Sequence, residues 1–133
     1  MIVVDASAMV EALVGTDVDS HLLDLLGGDL AAPHLLDIEV LSVLRGLERG
    51  RKLTPTMAEQ ARDDYFSFTL SRHEASPLAE RIWTLRHQFT SYDAAYLALA
   101  EALQIPLVTC DAKLATSGHL ATVLVTSTRT ERT

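Results

Sequence analysis

Ile2-Val3-Val4-Asp5-Ala6-Ser7 reads as a short strand that ends in a carboxylate. Three β-branched residues without polar alternation are the pattern of a strand covered on both faces. A helix follows at once over 6–14, with Gly15 as its stop. Working outward, the same grammar recurs. A helix is expected over 17–26, ended by Gly27-Gly28, and Leu30-Ala31-Ala32 before Pro33 is a strand candidate. The strongest helix spans 35–48, with apolar residues at Leu35, Leu36, Ile38, Val40, Leu41, Val43, Leu44 and Leu47. Thr54-Pro55 is a cap followed by proline in the first turn, which opens a second helix in succession to about residue 68. Thr69-Leu70-Ser71 is a weak strand candidate, and Ser76-Pro77 repeats the cap–proline signal for a helix to about residue 89. A helix over 93–103, a buried-type strand Leu107-Val108-Thr109, a short helix around 112–116 and a last strand Val123-Leu124-Val125 complete the chain. Strands separated by helices give an α/β fold: a central, mostly parallel sheet of four or five strands, flanked by helices in three layers, with an inserted helical hairpin.

The 133 residues suit one domain, expected over 1–126 with a polar, frayed tail at 127–133, and 48% apolar content is enough for a real core. A single cysteine, Cys110, rules out an internal disulfide and suits a reducing cytoplasm. No apolar run approaches the roughly 18 residues of a membrane span, and the N-terminus lacks the basic region of a signal peptide. The expected location is cytoplasmic. The net charge of −7 is the wrong sign for a generic nucleic-acid binder. Setting aside four candidate site acids leaves fourteen acids against eleven Lys and Arg. A cation-binding site concentrates negative charge by necessity, and the bound ion inverts the local field.

Sites in parallel sheets form at the carboxyl ends of strands. Asp5 directly follows the first strand, Asp111 lies two residues past 107–109, and Asp93 opens a helix whose side chains point back toward its start. Glu39 lies four residues from Leu35 and from Val43, on a largely apolar stripe. Each acid also has a local explanation. Asp5 and Asp111 can cap the helices that follow, Thr90-Ser91-Tyr92-Asp93 fits a capping box, and Glu39 can pair with an arginine or reach the rim. Convergence of all four would be intolerable without cations, because two carboxylates about 5 Å apart repel by roughly 3 kcal/mol at an effective dielectric near 20. Hard divalent ions prefer such oxygen ligands and bind phosphates alongside them.

Four blocks together carry a resemblance: Ile-Val-Val-Asp-Ala-Ser at 2–7, Asp-Ile-Glu-Val-Leu-Ser-Val-Leu-Arg at 37–45, Thr-Ser-Tyr-Asp-Ala-Ala-Tyr-Leu-Ala-Leu-Ala-Glu at 90–101 and Val-Thr-Cys-Asp-Ala-Lys-Leu at 108–114. In order and across essentially the whole chain, they resemble PIN-domain ribonucleases, and within that family the VapC toxins of VapBC toxin–antitoxin modules. The resemblance places the family's acidic quartet on Asp5, Glu39, Asp93 and Asp111, a hydroxyl beside the site on Ser7 and a supporting hydroxyl on Thr109. It implies a PIN-like sandwich and Mg²⁺- or Mn²⁺-dependent endonucleolytic cleavage of tRNA or rRNA that leaves a 5′-phosphate. It further implies a homodimer and inhibition by a VapB-like antitoxin, with operator DNA reached only through that antitoxin. None of the four acids departs from the family pattern.

Other residues carry weaker signals. Arg45, Arg49, Arg51 and Lys52 either complement a helix C-terminus or contact RNA phosphate, and Arg81 and Arg86 are further candidates for such contacts. Tyr65, Phe66 and Phe68 belong to the core or to a dimer surface. Tyr92 and Tyr96 share a helix face beside Asp93 and are structural or meet a base. His21, His34, His73, His87 and His119 show no ligand spacing and are expected at the surface; with one cysteine, a zinc site is not expected. Haloacid-dehalogenase phosphatases need a second Asp where Ser7 stands, and a response-regulator receiver needs a paired acidic site that is not visible. The remaining alternatives are a PIN-like module that binds RNA or protein without cutting, and a solitary RNA-processing nuclease with no antitoxin.

Overall fold

The computed structural model describes residues 1–128; most of the expected tail, from 129 on, lies outside the described residues. Five strands, β1 (Ile2–Val4), β2 (Leu30–Pro33), β3 (Leu70–His73), β4 (Leu107–Thr109) and β5 (Val123–Val125), form one sheet in the order β3-β2-β1-β4-β5. Every pairing is parallel, with Val3 opposite both Ala31 and Leu107. The sequence steps outward from β1 to β3 on one side and from β4 to β5 on the other. The order therefore reverses between β1 and β4, which opens a crevice at their carboxyl ends.

Six helices cover the sheet: α1 (Ala6–Val14), α2 (Ser20–Leu26), α3 (Leu35–Arg49), α4 (Pro55–Ser67), α5 (Ala79–Thr84) and α6 (Ser91–Leu103). β1, β2 and β4 are buried throughout, as their unalternated apolar sequences require. α3 and α4 form the inserted hairpin, and Thr54 caps α4 by accepting the Met57 N–H at 3.1 Å. Tyr65 of α4 is fully buried, and its hydroxyl donates to Asp37 Oδ1 at 2.6 Å. Arg72 of β3 donates from Nε to both Asp37 oxygens at 3.0 Å, so one carboxylate joins α3, α4 and an edge strand. Phe66 is exposed and Phe68 half-buried, which divides the three aromatics between core and surface.

Several element boundaries depart from the sequence reading: α6 begins at Ser91, two residues before Asp93, and β3 covers Leu70–His73 in place of the expected 69–71. α2 starts at Ser20 and not at residue 17, because the Asp19 carboxylate accepts the His21 N–H at 2.9 Å and fixes the cap there. The expected helix over 76–89 is broken into a 3₁₀ turn Ser76–Leu78, α5, and a second 3₁₀ turn Leu85–His87. Ser76 does not cap it; Pro77 sits in the first turn, but no side chain takes the free N–H groups. Residues Ala112–Ala115 likewise form a 3₁₀ turn. Of the histidines, His21, His34 and His87 are exposed, whereas His119 is half-buried, with its ring nitrogens placed against the Leu114 carbonyl (2.6 Å) and the Ala121 N–H (3.0 Å). No helix among the described residues is long and apolar enough to cross a membrane.

Candidate active site

Asp5 stands where β1 gives way to α1, at the reversal of strand order, and is 6% exposed. Its Oδ1 caps α1 by accepting the Ala8 N–H at 3.0 Å and also accepts the Ser7 hydroxyl at 2.7 Å. Its Oδ2 accepts the hydroxyl of Thr109, a fully buried residue at the end of β4. The two hydroxyls work in both directions. Thr109 Oγ1 accepts the Asp111 N–H at 2.9 Å, and Ser7 Oγ accepts the Cys110 N–H at 2.9 Å. Asp5 is thus bolted to the backbone that carries Asp111, more than a hundred residues away.

Asp111 starts the 3₁₀ turn after β4, and its Oδ1 accepts the Lys113 N–H at 3.0 Å. Asp93 lies in the first turn of α6, where Thr90 is the cap and accepts the Asp93 N–H at 3.1 Å. Glu39, half-buried on α3, takes no arginine among the described residues; its Oε1 accepts the hydroxyl of Tyr96, one turn beyond Asp93 on α6. The local-cap explanations of Asp5 and Asp111 are therefore real, and they coexist with proximity among the acids.

Electrostatics register that proximity. Asp5 is pushed above the ordinary carboxylate value mainly by burial, which its three hydrogen bonds offset only in part, with Asp93 adding repulsion. Burial also raises Glu39, and the charges of Asp5 and Asp93 raise it further. Asp93 is raised by burial first and by Asp111 second. Lys113 Nζ lies 3.8 Å from Asp111 Oδ2 and is largely solvated, so it is only a weak counter-charge. Tyr96 is pushed up by burial and by Glu39, and remains a donor at neutral pH.

The chain matches the PIN domain family over residues 2–119. Ribonuclease VapC1 of Mycobacterium tuberculosis is 42% identical over 121 residues, which cover 89% of this chain and 91% of that protein. VapC ribonuclease Mb0985 of Mycobacterium bovis is 40% identical over 120 residues, covering 90% and 92%. The chain belongs to the PIN-domain family, among its VapC ribonucleases. The fold agrees: the structure of PAE2754 from Pyrobaculum aerophilum superposes with a TM-score of 0.69 at 27% identity, covering 92% of this chain and 82% of the other.

The donor set of this VapC-family chain suits a hard divalent cation: four carboxylates, no arginine paired with them among the described residues, and hydroxyls already turned inward to orient one of them. Among the described residues no three acids stand close enough to chelate an ion unaided. Tyr96, Ser7, Thr109 and the Lys113 N–H donate to oxygens of Glu39, Asp5 and Asp111. Arg45 and Arg49 follow Glu39 by six and ten residues along α3, about 9 and 15 Å down the helix. Arg81, a candidate for phosphate contact, is instead tied to Glu101 by bonds of 2.6 and 3.0 Å. Tyr96 as the partner of Glu39 had no sequence signal beyond its spacing from Asp93, and Trp83 had none, because a lone tryptophan reads as core by default.

Proposed function

We propose that this chain is a metal-dependent endoribonuclease, the toxin of a toxin–antitoxin pair, which hydrolyses phosphodiester bonds of tRNA or rRNA at Asp5, Glu39, Asp93 and Asp111. The observation that carries the reading is the mutual electrostatic coupling of four acids drawn from β1, α3, α6 and the end of β4, which no arginine among the described residues neutralises. Mg²⁺ or Mn²⁺ bound among these oxygens would activate water and stabilise the departing alkoxide. The protein's own part is positional. Ser7 and Thr109 fix both oxygens of Asp5, Tyr96 holds one oxygen of Glu39, and the cap at Thr90 sets the first turn that carries Asp93. The chemistry leaves a 5′-phosphate, as expected of the family. A VapB-like antitoxin, a homodimer and a cytoplasmic setting belong to the same reading.

The test is cleavage of total RNA by the purified chain. Activity should require Mg²⁺ or Mn²⁺, stop with EDTA, and vanish in Asp5→Asn and Asp93→Asn variants that retain the wild-type circular dichroism spectrum. Cleavage that survives both substitutions would defeat the assignment. A folded protein that binds RNA in the presence of Mn²⁺ without cutting it would instead support the non-catalytic module. Co-purification of a small protein that blocks cleavage tests the antitoxin.

A further inference from the structure

Trp83 is the chain's single tryptophan, and 66% of it is exposed at the end of α5. Its ring is not bare. The Arg86 guanidinium lies 4.4 Å from the ring centroid, and Arg86 Nη1 donates to the Trp83 carbonyl at 2.8 Å, which holds the cation against one face of the indole. Tyr92, 61% exposed, sits in the first turn of α6, immediately before Asp93. The Arg81–Glu101 ion pair ties the start of α5 to the last turns of α6, and the chain rejoins α6 at its cap, Thr90. The segment bearing Trp83 and Arg86 therefore climbs beside α6 toward the edge that holds Asp93.

We propose that Trp83, Arg86 and Tyr92 form a stacking platform for unpaired bases of single-stranded RNA leading into the acid cluster; the choice of RNA rests on the nuclease reading above. Exposed aromatic faces accept any base by stacking, and a guanidinium both stacks and meets phosphate. A chain with eighteen acids and eleven Lys and Arg cannot grip RNA by general electrostatics, so affinity must come from such local contacts. The contrast with Leu120 is instructive. It is 84% exposed and aliphatic, and its N–H donates to Glu101 near the end of α6 opposite Asp93.

Because Trp83 is the only indole, its fluorescence reports on this place alone. The full chain in EDTA, titrated with a 12-nucleotide oligouridylate, should show saturable quenching. Anisotropy of the labelled oligonucleotide should show binding weakened about tenfold by Trp83→Leu and by Tyr92→Leu. Arg86→Gln should reduce the slope of log K against log salt by about 0.7. Leu120→Ala should bind like wild type, and all four variants should keep the wild-type melting temperature. Absent quenching, or unchanged affinity in the Trp83 and Tyr92 variants, overturns the platform, as does a Trp83 effect confined to sedimentation, which would mark a protein interface. The two readings fail separately. Binding without cleavage when Mn²⁺ is added sinks the nuclease and keeps the platform, whereas cleavage unaffected by Trp83→Leu sinks the platform and keeps the nuclease.

Discussion

Glu39 pairs with a phenol and, among the described residues, with no cation, so its charge is a burden on the metal-free fold. Its folded pKa lies above the ordinary 4.5, as those of Asp5 and Asp93 lie above 3.8. Between the ordinary and the raised value the native state holds more protons than the unfolded chain. Stability from these groups is thus fullest at low pH, falls as pH rises through that interval, and stays reduced above it. Glu39→Gln keeps an oxygen for Tyr96 and removes the charge. In EDTA at pH 7 it should melt higher than wild type by about 3 °C, equivalent to relief on the order of 1 kcal/mol after solvent screening. Melting curves at pH 4 to 7 check the sign: the advantage should shrink as pH falls. Thr109→Val works the other way. It deprives buried Asp5 of a donor and the Asp111 N–H of an acceptor, and urea denaturation should show a loss of about 1–3 kcal/mol.

Among the elements, the hairpin of α3 and α4 is held to β3 through Asp37, and the order of losses there is predictable. Tyr65→Phe removes one hydrogen bond but leaves Asp37 with Arg72, and should cost about 1 kcal/mol; Asp37→Ala strands a buried hydroxyl and should cost about 2–3 kcal/mol in the same urea assay. This junction was invisible in the sequence, because residues 37, 65 and 72 meet only once the sheet exists. β1, α1, α4 and α6 were legible because buried strands, apolar periodicity and cap–proline pairs are local signals. α5 was not, since Ser76-Pro77 carries the cap signal without the capping bond. The positions of Asp5 and Asp111 after strands and of Asp93 at a helix start were legible from strand and cap signals, whereas Glu39, inside α3, stood out only as an acid on an apolar stripe. The hydroxyls of Ser7 and Thr109 came with the motif. The phenol of Tyr96 did not, because the contact spans 57 positions between two helices.

For the whole molecule, a net charge of −7 with an acid cluster at the switch point of the sheet predicts that folding is linked to divalent cations. An ion that binds only the native state stabilises it by RT ln(1 + [L]/Kd), about 2.7 kcal/mol at a hundredfold excess over Kd. Mn²⁺ should therefore raise the melting temperature of the wild-type chain by several degrees, with a logarithmic dependence on concentration, and EDTA should reverse it. General screening also relieves repulsion in an acidic protein, so the control is KCl at matched ionic strength, which should give a smaller shift that does not distinguish wild type from Asp93→Asn. The Mn²⁺ shift, in contrast, should fall steeply in Asp93→Asn, since that side chain repels both Asp5 and Glu39 and joins them to Asp111. Equal shifts from KCl and Mn²⁺ would mean that the acids share a field without sharing an ion.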